Sequence, residues 1–181
     1  METATALFTN RGYDAVGVQE VVNEAGVTKP TLYHHFGSKR GLFAAVQATI
    51  WREMMQRLEA PLVYRGDLPS TLAAVVAAFL ELASDRPREM RFIISVQSGP
   101  TESEARKVMQ PYVDTLYREI AELFLKAVEN HGNMRGRHRA YAKSFLGMIF
   151  IYMTLVLDGE EEPTENLAQQ IVHQFSHGIY S

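Results

Sequence analysis

GVTKPTLYHHFGSK, residues Gly26 to Lys39, puts a turn glycine, two threonines, a tyrosine, two adjacent histidines and two lysines into one stretch without an acidic side chain. Thr28 is suited to N-cap a helix, and Pro30 then falls in the first turn, where its missing N–H costs nothing. Leu32 and Phe36, four apart, define an inward side. Gly37 stops this helix and Ser38 is placed to cap the next. Upstream, Val18, Val21, Val22 and Ala25 recur at i, i+3, i+4 and i+7, predicting a short helix from Gly17 to Ala25 that Gly26 breaks. Two short helices about a glycine turn make a helix-turn-helix, whose second helix enters the major groove while the first supports it. Thr28, Lys29 and Thr31 are then placed to reach base edges, and Tyr33, His34, His35 and Lys39 to donate to phosphate oxygens. A solvated face in any helical bundle carries similar residues, so the pattern alone leaves both readings open.

Working outward, nearly every segment has helical spacing and none has the alternation of a strand, so the fold class is all-α. A first helix, Thr3 to Asn10, presents Ala4, Leu7 and Phe8 and ends near Gly12. A fourth, Ser38 to Leu58, carries the stripe Leu42, Phe43, Val46, Ile50 and Met54, with the sole tryptophan, Trp51, beside it. APLVYRGDLPS, Ala60 to Ser70, reads as a loop. Further helices are predicted over Thr71 to Ser84, Arg88 to Gln97, Glu102 to Asn130 (bent at Pro111), Gly136 to Leu157 and Thr164 to His177. The domain boundary falls inside the fourth helix: a helix-turn-helix module at 1–46 and a helical remainder at 47–181.

A chain of 181 residues, 46% apolar and 22% charged, has enough material for an ordinary globular core. Its net charge of −3 argues against a uniformly basic surface, yet Ala25 to Trp51 contains no acid and is locally basic. Without cysteine there is no disulfide, thiolate metal site or cysteine nucleophile. No uninterrupted apolar run approaches about 20 residues, and METATALF lacks a basic secretory start, so a cytoplasmic location is expected.

ALFTNRGYDAVGVQEVVNEAGVTKPTLYHHFGSKRGLFAAV, Ala6 to Val46, resembles the DNA-binding domain of the TetR family of bacterial transcription regulators. The resemblance is carried by LF with GY, the valine before the supporting helix, AGV at the turn, T-K-x-T-L-Y-x-H-F, then SK and LF. It implies a two-fold symmetric dimer that represses transcription and leaves its double-stranded DNA operator when a small molecule binds the larger domain. By matched position Thr28, Lys29 and Thr31 read bases, Tyr33, His35 and Lys39 clamp phosphates with His34 beside them, and Gly26, Val27, Leu32 and Phe36 are structural. Family members have a longer first helix preceded by a basic arm. This sequence starts almost at the apolar part of that helix, so either the start is misplaced or the arm is missing; if it is missing, operator binding is expected to be weaker and less salt-dependent, by about 0.9 in log–log slope per contact.

In the larger domain, Phe92, Val96, Gln97, Tyr112, Leu116, Tyr117 and Phe150 are candidates for lining an effector cavity, since bundles place ligands between apolar and aromatic helix faces. That composition favours an effector that is mainly apolar with few charges. Phe145, Ile149, Met153 and Val156 on one C-terminal helix, with Leu167, Ile171, Phe175 and Ile179 on the other, are stripes suited to an isologous dimer interface. No cofactor is implied. His173 and His177 have metal-ligand spacing, but the glutamate of H-E-x-x-H and a third ligand are missing, so no metal site is assigned. Phosphate-cradling and nucleophile-elbow motifs are absent, which makes an enzyme improbable. The alternative is a TetR-like DNA-binding protein without a small-molecule effector, controlled by protein partners.

Overall fold

A computed structural model of the chain describes residues 1–130 and 134–178. Among these residues the regular structure is helical: α1 (Glu2–Arg11), α2 (Val18–Ala25), α3 (Lys29–Phe36), α4 (Lys39–Glu59), α5 (Leu68–Asp85), α6 (Pro87–Ser98), α7 (Glu104–Ala127), α8 (His138–Asp158) and α9 (Glu165–His177). The two expected caps form, at Thr28 and Ser38, and Thr164 supplies a third. Thr28 Oγ1 accepts from the Thr31 N–H, Ser38 Oγ from that of Gly41, and Thr164 Oγ1 from that of Leu167.

α5 departs from expectation by starting at Leu68, not Thr71. Asp67 is its N-cap, accepting from the Ser70 N–H at 3.1 Å and from the Ser70 hydroxyl at 2.7 Å, and this brings Pro69 into the first turn. The two prolines of this segment read as loop punctuation, but the aspartate between them makes the second a first-turn residue. α7 runs through Pro111 without a break. Gly26 closes α2 with φ of 64°, a left-handed turn in which its own N–H and that of Val27 reach back to Asn23 and Val22 carbonyls.

Two compact units emerge. The first comprises residues 1–53 and 88–112. Its centre is aromatic: the buried Phe43 ring meets Phe8 edge-on at 5.2 Å, Tyr13 at 4.8 Å and Phe92 edge-on at 5.9 Å. Trp51, one further stretch along α4, stacks on Tyr112 at 5.7 Å. An ion pair from Arg40 to Glu104 at 3.3 Å adds a polar tie on the outside, although an exposed pair of this kind contributes little to stability.

The second unit comprises residues 54–87 and 113–178 of those described. α5 is its core helix, packed on α8 and α9 and burying Leu72, Val75, Val76, Phe79 and Leu80. Phe124, Phe145 and Phe175 close an aromatic triangle with centroid distances of 5.2 to 5.9 Å. By length and composition α5 and α8 could each cross a membrane. In this fold 56% of the apolar window of α5 is buried as a core helix, but only 33% of that of α8.

Phe43→Ala is expected to destabilise the protein by about 3–5 kcal/mol, the cost of emptying a filled aromatic site, as read from urea unfolding. A loss below 1 kcal/mol would show that Phe43 does not hold the first unit together.

Candidate nucleic-acid interface

α3 has eight residues, too few to persist alone. Leu32, 4% exposed, is its buried anchor and Phe36 is half-buried. Thr28, Lys29, Thr31, Tyr33, His34 and His35 are all exposed, so the structure brings six of the seven sequence candidates onto one open helix and its cap. No acidic residue falls in its first turn, leaving the positive end of the helix dipole free to face an anion.

The geometry refines what these groups can do. Besides capping the helix, Thr28 Oγ1 lies 2.9 Å from Thr31 Oγ1. One hydroxyl must donate to the other, so the pair offers a single free O–H donor to a base edge or a phosphate. Tyr33 is 45% exposed, and its hydroxyl has no partner among the described residues. His34 and His35 lie ring to ring at 5.3 Å, both open to solvent.

Lys39, the seventh candidate, is half-buried. Its ammonium sits 4.3 Å from the centre of the Tyr13 ring and donates to the Asp14 carbonyl at 3.5 Å. An ammonium has three donors, so such a lysine can brace the turn after α1 and still face a phosphate. Burial pushes the Tyr13 hydroxyl pKa up, and the nearby carboxylates of Glu104 and Asp14 add to the shift. Tyr13 therefore stays neutral beneath the lysine at physiological pH.

Val27 corrects its structural assignment. It is 43% exposed at the entrance to the recognition helix, where an apolar side chain could meet a thymine methyl. The AGV motif was legible, but only the backbone shows that Val27 leaves the core. Ala25, expected on the inward stripe, is likewise exposed.

The effector candidates divide between the two units. Phe92, Val96, Gln97 and Tyr112 belong to the first; Leu116, Tyr117 and Phe150 belong to the second. Phe92, Val96 and Leu116 are buried, and the other four are partly exposed. Gln97 Nε2 is buried without a hydrogen-bond partner. Sequence reasoning missed Gln47, which is fully buried on α4 with both amide atoms unpartnered, one turn before Trp51, whose Nε1 is also unpartnered. A glutamine inside the α4 apolar stripe was the available signal. A buried amide without a partner is costly and rare enough to need a reason.

The interface candidates are mostly interior. Phe145, Ile149, Met153, Leu167 and Ile171 are buried within the single chain, while Val156 and Phe175 are half-buried. Ile179 lies outside the described residues. The outward face of α8 instead carries Ser144, Gly147 and Ile151, the last 63% exposed, with Met148 and Leu155 half-buried beside it. Among the described residues no group of His, Asp and Glu is placed to hold a metal ion.

Residues 1–46 match the family model described as bacterial regulatory proteins, tetR family. Over 90 residues, half of the chain, the sequence is 34% identical to the HTH-type transcriptional activator FasR of Mycolicibacterium smegmatis, and this match spans 41% of that protein's length. The fold is that of FadR from Bacillus subtilis, solved in complex with stearoyl-CoA (TM-score 0.81, 16% identity, covering 99% of this chain and 97% of the other). It is also that of AibR, solved in complex with isovaleryl coenzyme A and operator DNA (TM-score 0.69, 22% identity, covering 97% and 93%).

Thr28→Ala is expected to cost about 1 kcal/mol through loss of the cap, measured by urea unfolding, whereas Tyr33→Ala should leave the unfolding midpoint unchanged. Gln47→Met keeps the volume and removes the unpartnered amide. It should raise the thermal midpoint by several degrees, on a scale of about 2–4 °C per kcal/mol for a chain of this size. A lowered midpoint would mean that the amide has partners in solution.

Proposed function

We propose that the chain is a homodimeric transcriptional repressor of the TetR type, because its first 46 residues match the family model described as bacterial regulatory proteins, tetR family. It binds a palindromic operator and releases it when a small molecule with an apolar part binds. Like its family, it is a DNA-binding regulator and not an enzyme. The observation that carries this is the exposed, acid-free recognition helix, with Thr28, Lys29, Thr31, Tyr33, His34 and His35 open to solvent around the single anchor Leu32.

The module at 1–46 would hold the DNA, and the remainder, 47–181, the effector and the second copy. α8 supports the homodimer because Ser144, Gly147, Met148, Ile151 and Leu155 form an outward face of small and apolar residues that the chain does not cover. Val156 and Phe175, half-buried, would flank it. A two-fold pairing through this face would hold two recognition helices about one DNA turn apart, ~34–36 Å. Ile151→Asp should turn the dimer into a monomer in light scattering coupled to size exclusion, and weaken operator binding with it. An unchanged dimer would remove α8 from the interface.

The effector class is an acyl thioester of coenzyme A. This is supported by the stearoyl-CoA and isovaleryl-CoA complexes of two proteins that share the fold. This class has an apolar acyl part, but its phosphates depart from the few-charge effector expected from the sequence. The buried amides of Gln47 and Gln97 and the indole N–H of Trp51 offer hydrogen bonds to a polar group such as a thioester carbonyl. Effector binding must favour the conformation that does not hold operator, and can shift the equilibrium only by that difference in affinity.

The test is fluorescence anisotropy on DNA flanking the gene of this protein, at two salt concentrations, with and without stearoyl-CoA. Salt-sensitive, sequence-selective binding that Tyr33→Ala weakens and stearoyl-CoA reverses is the expected result. Selective binding untouched by Tyr33→Ala would overturn the interface. A second reading, activation, is favoured by the printed name of FasR, and a transcription assay on the same DNA gives the sign.

A further inference from the structure

Between Glu129 and Asp158 the sequence contains no acid but carries Arg135, Arg137, Arg139 and Lys143, in a chain whose net charge is −3. The fold gathers part of this charge around one hollow. A cavity of about 630 Å3 opens between α7 and the start of α8, lined among others by Tyr117, Arg118, Glu122, His138, Arg139 and Lys143. All belong to the second compact unit. Three permanent cations thus face a single carboxylate, Glu122.

Among the described residues, none of these cations forms an ion pair. Arg118 Nη2 donates to the Thr115 hydroxyl at 2.9 Å, and the Lys143 ammonium lies 5.8 Å from the centre of the Tyr117 ring. The Tyr117 hydroxyl donates to the Arg139 carbonyl at 2.9 Å, fixing the first turn of α8 against α7. That turn is unusual in two ways. Its N-cap, Arg137, makes no side-chain cap, and its first residues include His138 and Arg139 but no acid. Helix N-termini favour negative charge and leave backbone N–H groups unpaired, so cations there are unfavourable until an anion joins them. Among the described residues, His138 Nδ1 is in addition buried without a hydrogen-bond partner.

We propose that this cavity binds the phosphorylated end of a nucleotide-type small molecule, with Arg118, Arg139 and Lys143 as the anion-binding groups. A hollow of this volume suits a small ligand, whereas a DNA backbone needs an open track of cations. Arginine matches phosphate oxygens with paired donors, and lysine adds a compact charge. The cavity deepens the effector reading above and rests on it only for the rest of the ligand molecule.

The test is isothermal titration calorimetry of the full chain with adenosine 3′,5′-bisphosphate, and separately with inorganic pyrophosphate. The bisphosphate should bind one site per chain, more tightly than pyrophosphate and more weakly as salt rises. Arg139→Glu with Lys143→Glu should weaken it by roughly 100-fold or more. Arg139→Gln, a milder change if charge reversal disturbs folding, should weaken it by roughly 10-fold. Arg65→Glu, outside the cavity, should leave it unchanged, and circular dichroism checks that each variant keeps its helices. No binding of the bisphosphate, or binding indifferent to both cavity variants, would overturn the proposal. Pyrophosphate binding as tight as the bisphosphate would overturn its nucleotide part. Bisphosphate binding in a protein whose operator complex ignores stearoyl-CoA would leave the cavity standing and remove the acyl thioester. Equal release of operator by stearoyl-CoA from wild type and the double variant would do the reverse.

Discussion

The contact of Phe43 with Phe8, Tyr13 and Phe92 is the constraint on which the first unit depends. α2 and α3 have eight residues each, short of the length at which a helix persists in water. The recognition helix buries Leu32 and half of Phe36, so its orientation is imposed by its neighbours. α2 packs on it, and Phe43 lets α4 hold three further segments of the unit at once: α1, the turn that follows it and α6. Lys39, one turn earlier on α4, adds a polar hold on the same turn through the Tyr13 ring and the Asp14 carbonyl. A candidate phosphate-binding residue is thereby also part of the scaffold.

The same helix carries a conflict. Gln47 follows Phe43 by one turn and is fully buried with no partner for its amide. An apolar residue there would pack without cost, so the glutamine runs against stability. Departures of this kind are where local rules yield to function. Trp51, the next turn, repeats the pattern with an unpartnered indole N–H above a stacked Tyr112. Together they make α4 both the aromatic centre of the first unit and a place where hydrogen-bonding capacity is held in reserve.

Charge follows the same logic at a distance in sequence. The balance over the whole chain is slightly negative, which keeps it from binding polyanions everywhere. Positive charge without intervening acid occurs at Ala25 to Trp51, around α3, and at Arg135 to Lys143, at the start of α8. Each segment lacks acids and each includes the first turn of a helix, where backbone donors add to the side chains. Two sites for anions of different size can exist in an acidic protein on these terms.

The sequence by itself determined the helical class, the helix-turn-helix and the face of α3. Those features rest on local rules: 3.6-residue periodicity, a threonine cap, a proline in the first turn and glycines where the backbone turns left-handed. Local rules also place α5, whose start became clear once Asp67 was recognised as its cap. Tertiary structure decided which apolar stripes remain uncovered. The residues of α8 and α9 that read as an interface, Phe145 and Ile171 among them, are consumed inside the chain, and the uncovered face is the one with Gly147 and Ile151. Periodicity gives a helix an apolar side without saying what will cover it. It also could not bring Arg118 on α7 to the same cavity as Arg139 and Lys143 on α8, because nearness across a long connection follows from packing and not from spacing.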